Sequence, residues 1–180
     1  MRSKKHLFFT GIKHSGKTTF AKAISNEWGY PFFDSDDLIL EKLDGKTIRE
    51  FYKESGKEAF MSLELNAVRD FLSSSYPSFI LSLGGGASDN AMLIDLIRDD
   101  GYLIYLQRNE SDILPMILEH GIPPFLDAND VKGSFHQLYT RRDGIYRECA
   151  DLIIPLGPYR NKKETQDYIE KKLKENGYGI

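Results

Sequence analysis

Eight consecutive residues, Gly11-Ile12-Lys13-His14-Ser15-Gly16-Lys17-Thr18, follow the pattern G-x-x-x-x-G-K-[ST]. Glycines let a backbone curl until its N–H groups face the oxygens of a phosphate chain, and a helix starting where the loop ends adds a favourable dipole. In such a loop Lys17 reaches the β- and γ-phosphates of ATP and the Thr18 hydroxyl holds Mg²⁺. Gly11, His14, Ser15, Gly16 and Thr19 complete the expected nucleotide cradle. The loop alone does not separate kinases from GTPases, ATPases or motor domains. A GTPase would need a guanine-reading N-K-x-D segment, and the nearest match, Asn161-Lys162-Lys163-Glu164, lacks the Asp.

A second group of reactive residues is Phe33-Asp34-Ser35-Asp36-Asp37, placed after an apolar run. Open α/β sheets build their sites at the carboxyl ends of strands, so these carboxylates are candidates for chemistry. If extended, Asp34 and Asp36 share a face, one near Mg²⁺ and one on an acceptor hydroxyl whose proton it accepts. The competing reading is that Ser35 or Asp36 caps a helix starting near Leu38, with Asp37 as first-turn charge. A third group, Ser82-Leu83-Gly84-Gly85-Gly86-Ala87, carries three successive glycines; it permits close backbone approach or forms a flexible turn.

Short apolar runs at 6–10, 31–33, 79–83, 102–106 and 152–154 alternate with segments of helical period and are expected to position these groups. Runs that are apolar throughout suit a parallel sheet covered on both faces, so the expected fold is α/β with five parallel strands and helices in layers on either side. Phe20, Ala21, Ala23, Ile24 and Trp28 follow the phosphate loop at helical spacing. Phe60, Leu63, Ala67, Val68 and Phe71, and then Leu93, Ile94 and Ile97, read as core faces of later helices. Thr47 and Glu50 form a capping-box signature, and Gly56 is expected to end that helix. Residues 119–132, with Gly121, Pro123 and Pro124, read as a mobile loop.

Composition narrows the class. The 180 residues, 41% of them hydrophobic, fit a single domain spanning 1–180. Lys and Arg number 24 against 27 Asp and Glu, a net charge of −3 without like-charge blocks, which argues against a nucleic-acid partner. The start MRSKKHLFF lacks a signal-peptide core, and no apolar run reaches the roughly 18–20 residues a membrane span requires. With the lone Cys149 excluding an internal disulfide, a cytoplasmic monomer is expected. His6, His14, His120 and His136 show no paired ligand spacing, so no zinc site is expected.

Together the G-x-x-x-x-G-K-T loop, F-x-D-x-D, L-G-G-G-A and the later Arg142-x-x-x-Tyr146-x-x-x-Ala150-Asp151 resemble the shikimate kinase family in order and spacing over almost the whole chain. The resemblance implies a nucleoside-monophosphate-kinase-like fold, a substrate-binding region at about 34–72, a lid at about 119–132, and transfer of the ATP γ-phosphoryl to the shikimate 3-hydroxyl. It implies Asp34 as the Mg²⁺-associated aspartate, Asp36 as the group on the substrate hydroxyls, and Gly85 and Gly86 as substrate contacts. Arg142 is implied as the arginine on the substrate carboxylate, a task suited to a bidentate guanidinium. Arg160, in the place of the adenine loop, either stacks on the base or is an exposed loop arginine.

The chain departs from the family pattern at three places. Met61 stands where G-E-x-x-F-R-x-x-E has its Arg, the lid Arg-Pro pair reads Pro123-Pro124, and Met116 falls near the position of an Arg beside adenine. Lys13, His14 or Arg141 either replaces that charge or is ordinary surface. Two alternatives follow: a kinase acting on another small hydroxylated acid, such as a sugar acid, and an ATP-binding relative without turnover.

Overall fold

The computed structural model describes residues 6–74 and 76–178; the leaderless reading of Met1–Lys5 lies outside them. Five strands, β1 (His6–Thr10), β2 (Phe32–Asp34), β3 (Ile80–Ser82), β4 (Gly101–Gln107) and β5 (Leu152–Pro155), form one sheet in the order β2-β3-β1-β4-β5. Every pairing is parallel, with Leu7 opposite Ile80 and Tyr102, and Ile104 opposite Leu152. The expected five-stranded parallel sheet is therefore the fold. From β1 the chain moves outward to β2, returns to β3, then crosses to β4 and β5, which opens crevices at the carboxyl edge on both sides of β1.

Alternation along the strands decides what covers each face. Leu7 and Phe9 of β1, with Ile80, Ile104 and Ile154, pack against Phe20, Ala21 and Ile24 of α1 (Lys17–Trp28) and Ile169 and Leu173 of α7 (Lys162–Glu175). Phe8, Leu81 and Leu103 point the other way, onto Leu65, Val68 and Phe71 of α3 (Ile48–Leu72) and Leu93, Ile94 and Ile97 of α4 (Ala91–Asp100). A third cluster joins Tyr105 to Ile113 and Ile117 of α5 (Glu110–His120) and Phe135 and Tyr146 of α6 (Val131–Cys149). Of the helix faces expected to be core, Phe60 and Leu63 are only partly buried, because they line a smaller cluster with Ile39 of the short α2 (Ser35–Leu40).

Two local expectations hold. Thr47 and Glu50 make the reciprocal capping box, with Glu50 N–H on Thr47 Oγ1 and Thr47 N–H on Glu50 Oε2. Gly56, at φ 82° and ψ 178°, breaks α3 into two segments, a conformation that a residue with a Cβ rarely adopts.

Two others are corrected. α2 begins at Ser35 and not near Leu38, and its cap is Asp34 itself, whose Oδ1 accepts from Asp36 N–H. Strand and helix join without a loop, so Asp34 is extended and Asp36 already helical, and the shared extended face does not form. The irregular segment between α5 and α6 is 121–130, shorter than 119–132, because α5 continues to His120 and Asp130 caps α6 from Val131. Within it Leu126 is buried against the third cluster.

Two glycines give opposite expectations. A Cβ on Gly101 would overlap the His6 carbonyl and stand 2.6 Å from the Phe8 ring, whereas one on Gly144, inside α6, meets nothing within 4 Å. Urea denaturation is expected to show Gly101→Ala less stable by about 1–3 kcal/mol and Gly144→Ala more stable by up to about 1 kcal/mol.

Candidate functional site

The carboxyl edge of the sheet gathers the groups singled out above. After β1 the loop turns back through Ser15 N–H to Ile12 O at 2.9 Å, with His14 at φ 66° and Gly16 at φ 92° before α1 starts at Lys17. A side chain on Gly16 would be strained by that φ and would meet the Phe20 ring at 2.7 Å. Gly11 is similarly obligatory, since a Cβ there would meet Leu106 O at 2.9 Å. The sequence and this curl are what a phosphate cradle requires.

Thr18 Oγ1 donates to Asp34 Oδ2 at 3.1 Å and lies 2.9 Å from Ser82 Oγ. A hydroxyl and a carboxylate from two strand ends thus meet beside the loop, the oxygen donors that suit Mg²⁺. Among the described residues no cluster of three or more His, Cys, Asp or Glu forms a metal cage. An ion shared with nucleotide phosphates does not need one.

Lys17, Asp34 and Asp36 act on one another electrostatically. Burial pushes the Lys17 ammonium below the ordinary lysine range, against the pull of Asp36 and then Asp34. Asp36 has exposed surface, yet the protein crowding the cleft strips enough water from its carboxyl to raise its pKa, helped by Asp34 and opposed by Lys17. A carboxylate shifted upward is a stronger base than an ordinary aspartate.

The triple glycine is a close approach. None of Gly84, Gly85 and Gly86 has positive φ; Gly85 and Gly86 lie where a Cβ would press on a neighbour, and one on Gly84 would make an ordinary contact. A Cβ on Gly84 would stand 3.4 Å from Asp36 Oδ1, one on Gly85 3.1 Å from Lys13 N, and one on Gly86 3.3 Å from Arg142 Nη2. Arg142, buried on α6, donates from Nη1 to Gly85 O at 3.1 Å and from Nη2 to Asp89 Oδ2 at 3.0 Å. Its Nε has no partner among the described residues. Tyr146, one helical turn on, is fully buried and accepts from Ser88 N–H at 3.1 Å, which fixes the same turn.

His14 and the remaining predicted residues are more peripheral. Burial first, then Lys13, His120 and Lys17, lowers the His14 pKa, and its ring lies 5.5 Å from that of His120. Ser15 is buried, Thr19 is exposed in the first turn of α1, and Arg160 is exposed. It is Tyr159 that touches the phosphate loop, donating to His14 O at 2.7 Å. Arg108, buried, lies 3.9 Å from the Tyr159 ring centroid and donates to Gly157 O at 2.8 Å. Where the family pattern has its lid arginine and this chain does not, the 121–130 segment brings the Phe125 ring to 5.5 Å from the Arg142 guanidinium.

Sequence reasoning missed Arg108 and Tyr159, which no motif marks, and also Asp89 and Glu64. Glu64 had a signal, as the final acid of the G-E-x-x-F-R-x-x-E segment. It is buried, accepts from Asn90 Nδ2 at 3.0 Å, and lies near Gly84 and Asp36. Burial pushes its pKa from 4.5 up to about 7, the Asn90 hydrogen bond opposing and Asp36 adding to the rise. The folded chain therefore binds more protons than the unfolded chain between these values, and stability falls as pH rises from 4.5 through about 7. Glu64→Gln removes that dependence. Urea denaturation at successive pH values is expected to show the variant gaining on the wild type by up to about 3 kcal/mol between pH 4.5 and pH 8; a constant difference would contradict the buried acid.

Comparisons with known proteins bear on the family and the fold. The family model for shikimate kinase matches residues 13–174. The chain is 34% identical over 152 residues to a shikimate kinase of Cupriavidus pinatubonensis, covering 84% of this chain and 78% of that one. It is 37% identical over 172 residues to a shikimate kinase of Chlorobaculum tepidum, covering 96% and 85%. Among solved structures, the shikimate kinase of Acinetobacter baumannii in complex with shikimate superposes with a TM-score of 0.80 at 25% identity, covering 97% of this chain and 93% of that one. With the phosphate loop, paired aspartates, glycine turn and Arg142 on one sheet edge and a matching family model over most of its length, this chain belongs to the shikimate kinase family.

Proposed function

We propose that the chain transfers the γ-phosphoryl group of ATP to the 3-hydroxyl of shikimate. The observation that carries this reading is the meeting of Lys17, Thr18, Asp34, Asp36, Gly85 and Arg142 at adjoining strand ends, within a chain of this family. Backbone N–H groups of 11–16 and the Lys17 ammonium bind the phosphates, and Gly11 and Gly16 leave room for the curl. When bound, Mg²⁺ neutralises phosphate charge, with Thr18 and Asp34 as its protein ligands.

Asp36 orients the acceptor hydroxyl and takes its proton at a carboxylate oxygen, a role its raised pKa favours. Gly85 and Gly86 let the acceptor lie close to backbone, and Arg142 receives its carboxylate. The Tyr159 ring, held between Arg108 and the phosphate loop, borders the nucleotide side, with Arg160 beside it. The region 34–72 forms the acceptor pocket and 121–130 its lid, in a single domain. A cytoplasmic monomer without a nucleic-acid partner belongs to the same reading, supported by the net charge of −3; none of the described helices is long and apolar enough to cross a membrane.

One observation favours a second acceptor. Met61 offers no guanidinium, and Asp89 already holds Arg142, which suits a hydroxylated compound less dependent on its carboxylate.

ADP release with MgATP, with and without shikimate, tests the reading. Acceptor-dependent release is expected, with kcat reduced at least about 10²-fold in both Lys17→Ala and Asp36→Asn. Release unaffected by shikimate in wild-type protein that still binds ATP would remove shikimate as the acceptor.

A further inference from the structure

The guanidinium of Arg142 is partly spent before any acceptor arrives. Gripping a carboxylate through two parallel N–H bonds requires a free edge. The edge formed by Nη1 and Nη2 is taken by Gly85 O at 3.1 Å and Asp89 Oδ2 at 3.0 Å. The other edge is formed by Nε, buried and without a partner among the described residues, and by Nη2, which already donates to Asp89. A carboxylate arriving there would face the Asp89 carboxylate across a single nitrogen. Asp89 is 11% exposed at its side chain, so water screens that repulsion poorly.

Asp89 also has a second set of partners. Arg141 Nη2 lies 3.0 Å from Oδ1 and Lys57 Nζ lies 4.0 Å from Oδ2, with side chains 51% and 49% exposed. Three cations therefore surround one carboxylate. Arg142 is buried and held by Gly85 O, whereas Arg141 and Lys57 extend toward solvent. Lys57 sits four residues before Met61 on α3, so it lies on the helix face that carries the missing arginine's position.

From these contacts we propose that Asp89 is an internal competitor for the acceptor's carboxylate, and that a carboxylated acceptor gains Arg142 by shifting Asp89 onto Arg141 and Lys57. Asp89 is then a specificity-determining residue. It weakens binding of a carboxylated acceptor while leaving a neutral polyol of the same shape unaffected, and Arg141 and Lys57 favour the acid by receiving the displaced carboxylate. The inference rests on the reading that the acceptor binds in this cleft through a carboxylate on Arg142.

The test is calorimetric titration of shikimate and of its methyl ester into the full chain saturated with MgADP. Asp89→Asn is expected to bind shikimate at least about tenfold more tightly than wild type, with methyl ester affinity unchanged. Arg141→Ala is expected to bind shikimate several-fold more weakly, and this effect should vanish in the Asp89→Asn background. Equal or weaker binding of shikimate by Asp89→Asn, with MgADP affinity retained, would mean that Asp89 only orients Arg142 and would overturn the proposal. Should Asp89→Asn fail to bind MgADP, Arg141→Ala and Lys57→Ala decide, and unchanged or tighter shikimate binding in both overturns it. Wild-type turnover with shikimate separates the two ideas. Turnover without a gain in Asp89→Asn sinks the competitor alone; a gain without wild-type turnover sinks only shikimate as the acceptor. Absence of shikimate binding in every form sinks both.

Discussion

Gly85 lies so near the loop after β1 that a Cβ on it would meet Lys13 N at 3.1 Å and Gly11 O at 3.6 Å, and the cleft is built outward from this backbone contact. β3 pairs directly with β1, so the turns that follow the two strands leave the sheet side by side. A side chain on Gly85 would push the two turns apart by a few tenths of an ångström. Widening this approach would displace Gly86 from Arg142 on one side and Gly84 from Asp36 and Glu64 on the other, because each neighbouring glycine has its own close contact. Packing density, more than the strength of any one hydrogen bond, sets the spacing between the loop after β1 and the glycine turn after β3.

Charge is arranged on this frame in two groups. Lys17, Asp34 and Asp36 gather beside the phosphate loop, where burial moves the lysine pKa down and the Asp36 pKa up, each shift opposed by the other residue's charge. Glu64, Asp89, Arg142, Arg141 and Lys57 gather beyond the glycine turn, where Glu64 is pushed up to about 7. The two groups are coupled, since Asp36 contributes to the Glu64 shift and Arg142 to that of Lys17. Perturbed carboxylates and a lysine converging on one cleft are typical of a site poised for proton and phosphoryl movement. A purely structural ion-pair network explains less well why Arg142 Nε and His14 Nε2 are buried without partners among the described residues.

The departures from the family pattern take on structural meaning in this setting. Met61 removes a guanidinium, yet its carbonyl accepts from Asn90 Nδ2 at 2.9 Å, which ties α3 to the start of α4. The segment 121–130 brings an aromatic ring toward Arg142 in place of a second cation. Arg108 is a buried cation beside the glycine-rich loop after β1: its Nε lies 3.5 Å from Ser15 O, and its guanidinium stacks on Tyr159. Arg108, Arg142, Arg141 and Lys57 still place positive charge around the cleft, where Met61 and Pro123 carry none.

The sequence by itself determined the parallel α/β fold, the phosphate loop, and Asp34, Asp36, Gly85 and Gly86 as candidates, whereas Arg142 entered only through the family resemblance. Those signals are local: a strand, a loop and a helix must follow one another within a few residues, and apolar runs must be of strand length. The capping box at Thr47 and the break at Gly56 were legible for the same reason. Tertiary structure alone decided the partners. Arg142 and Asp89 are separated by 53 residues, Arg108 and Ser15 by 93, and Tyr159 and His14 by 145, so no spacing rule links them. The start of α2 was misread because Asp34 is both the last residue of a strand and a helix cap, and Glu64 was passed over because its raised pKa arises from burial. Burial and long-range pairing depend on how the β3 and α6 ends come together over the phosphate loop, and that packing is a property of the folded chain.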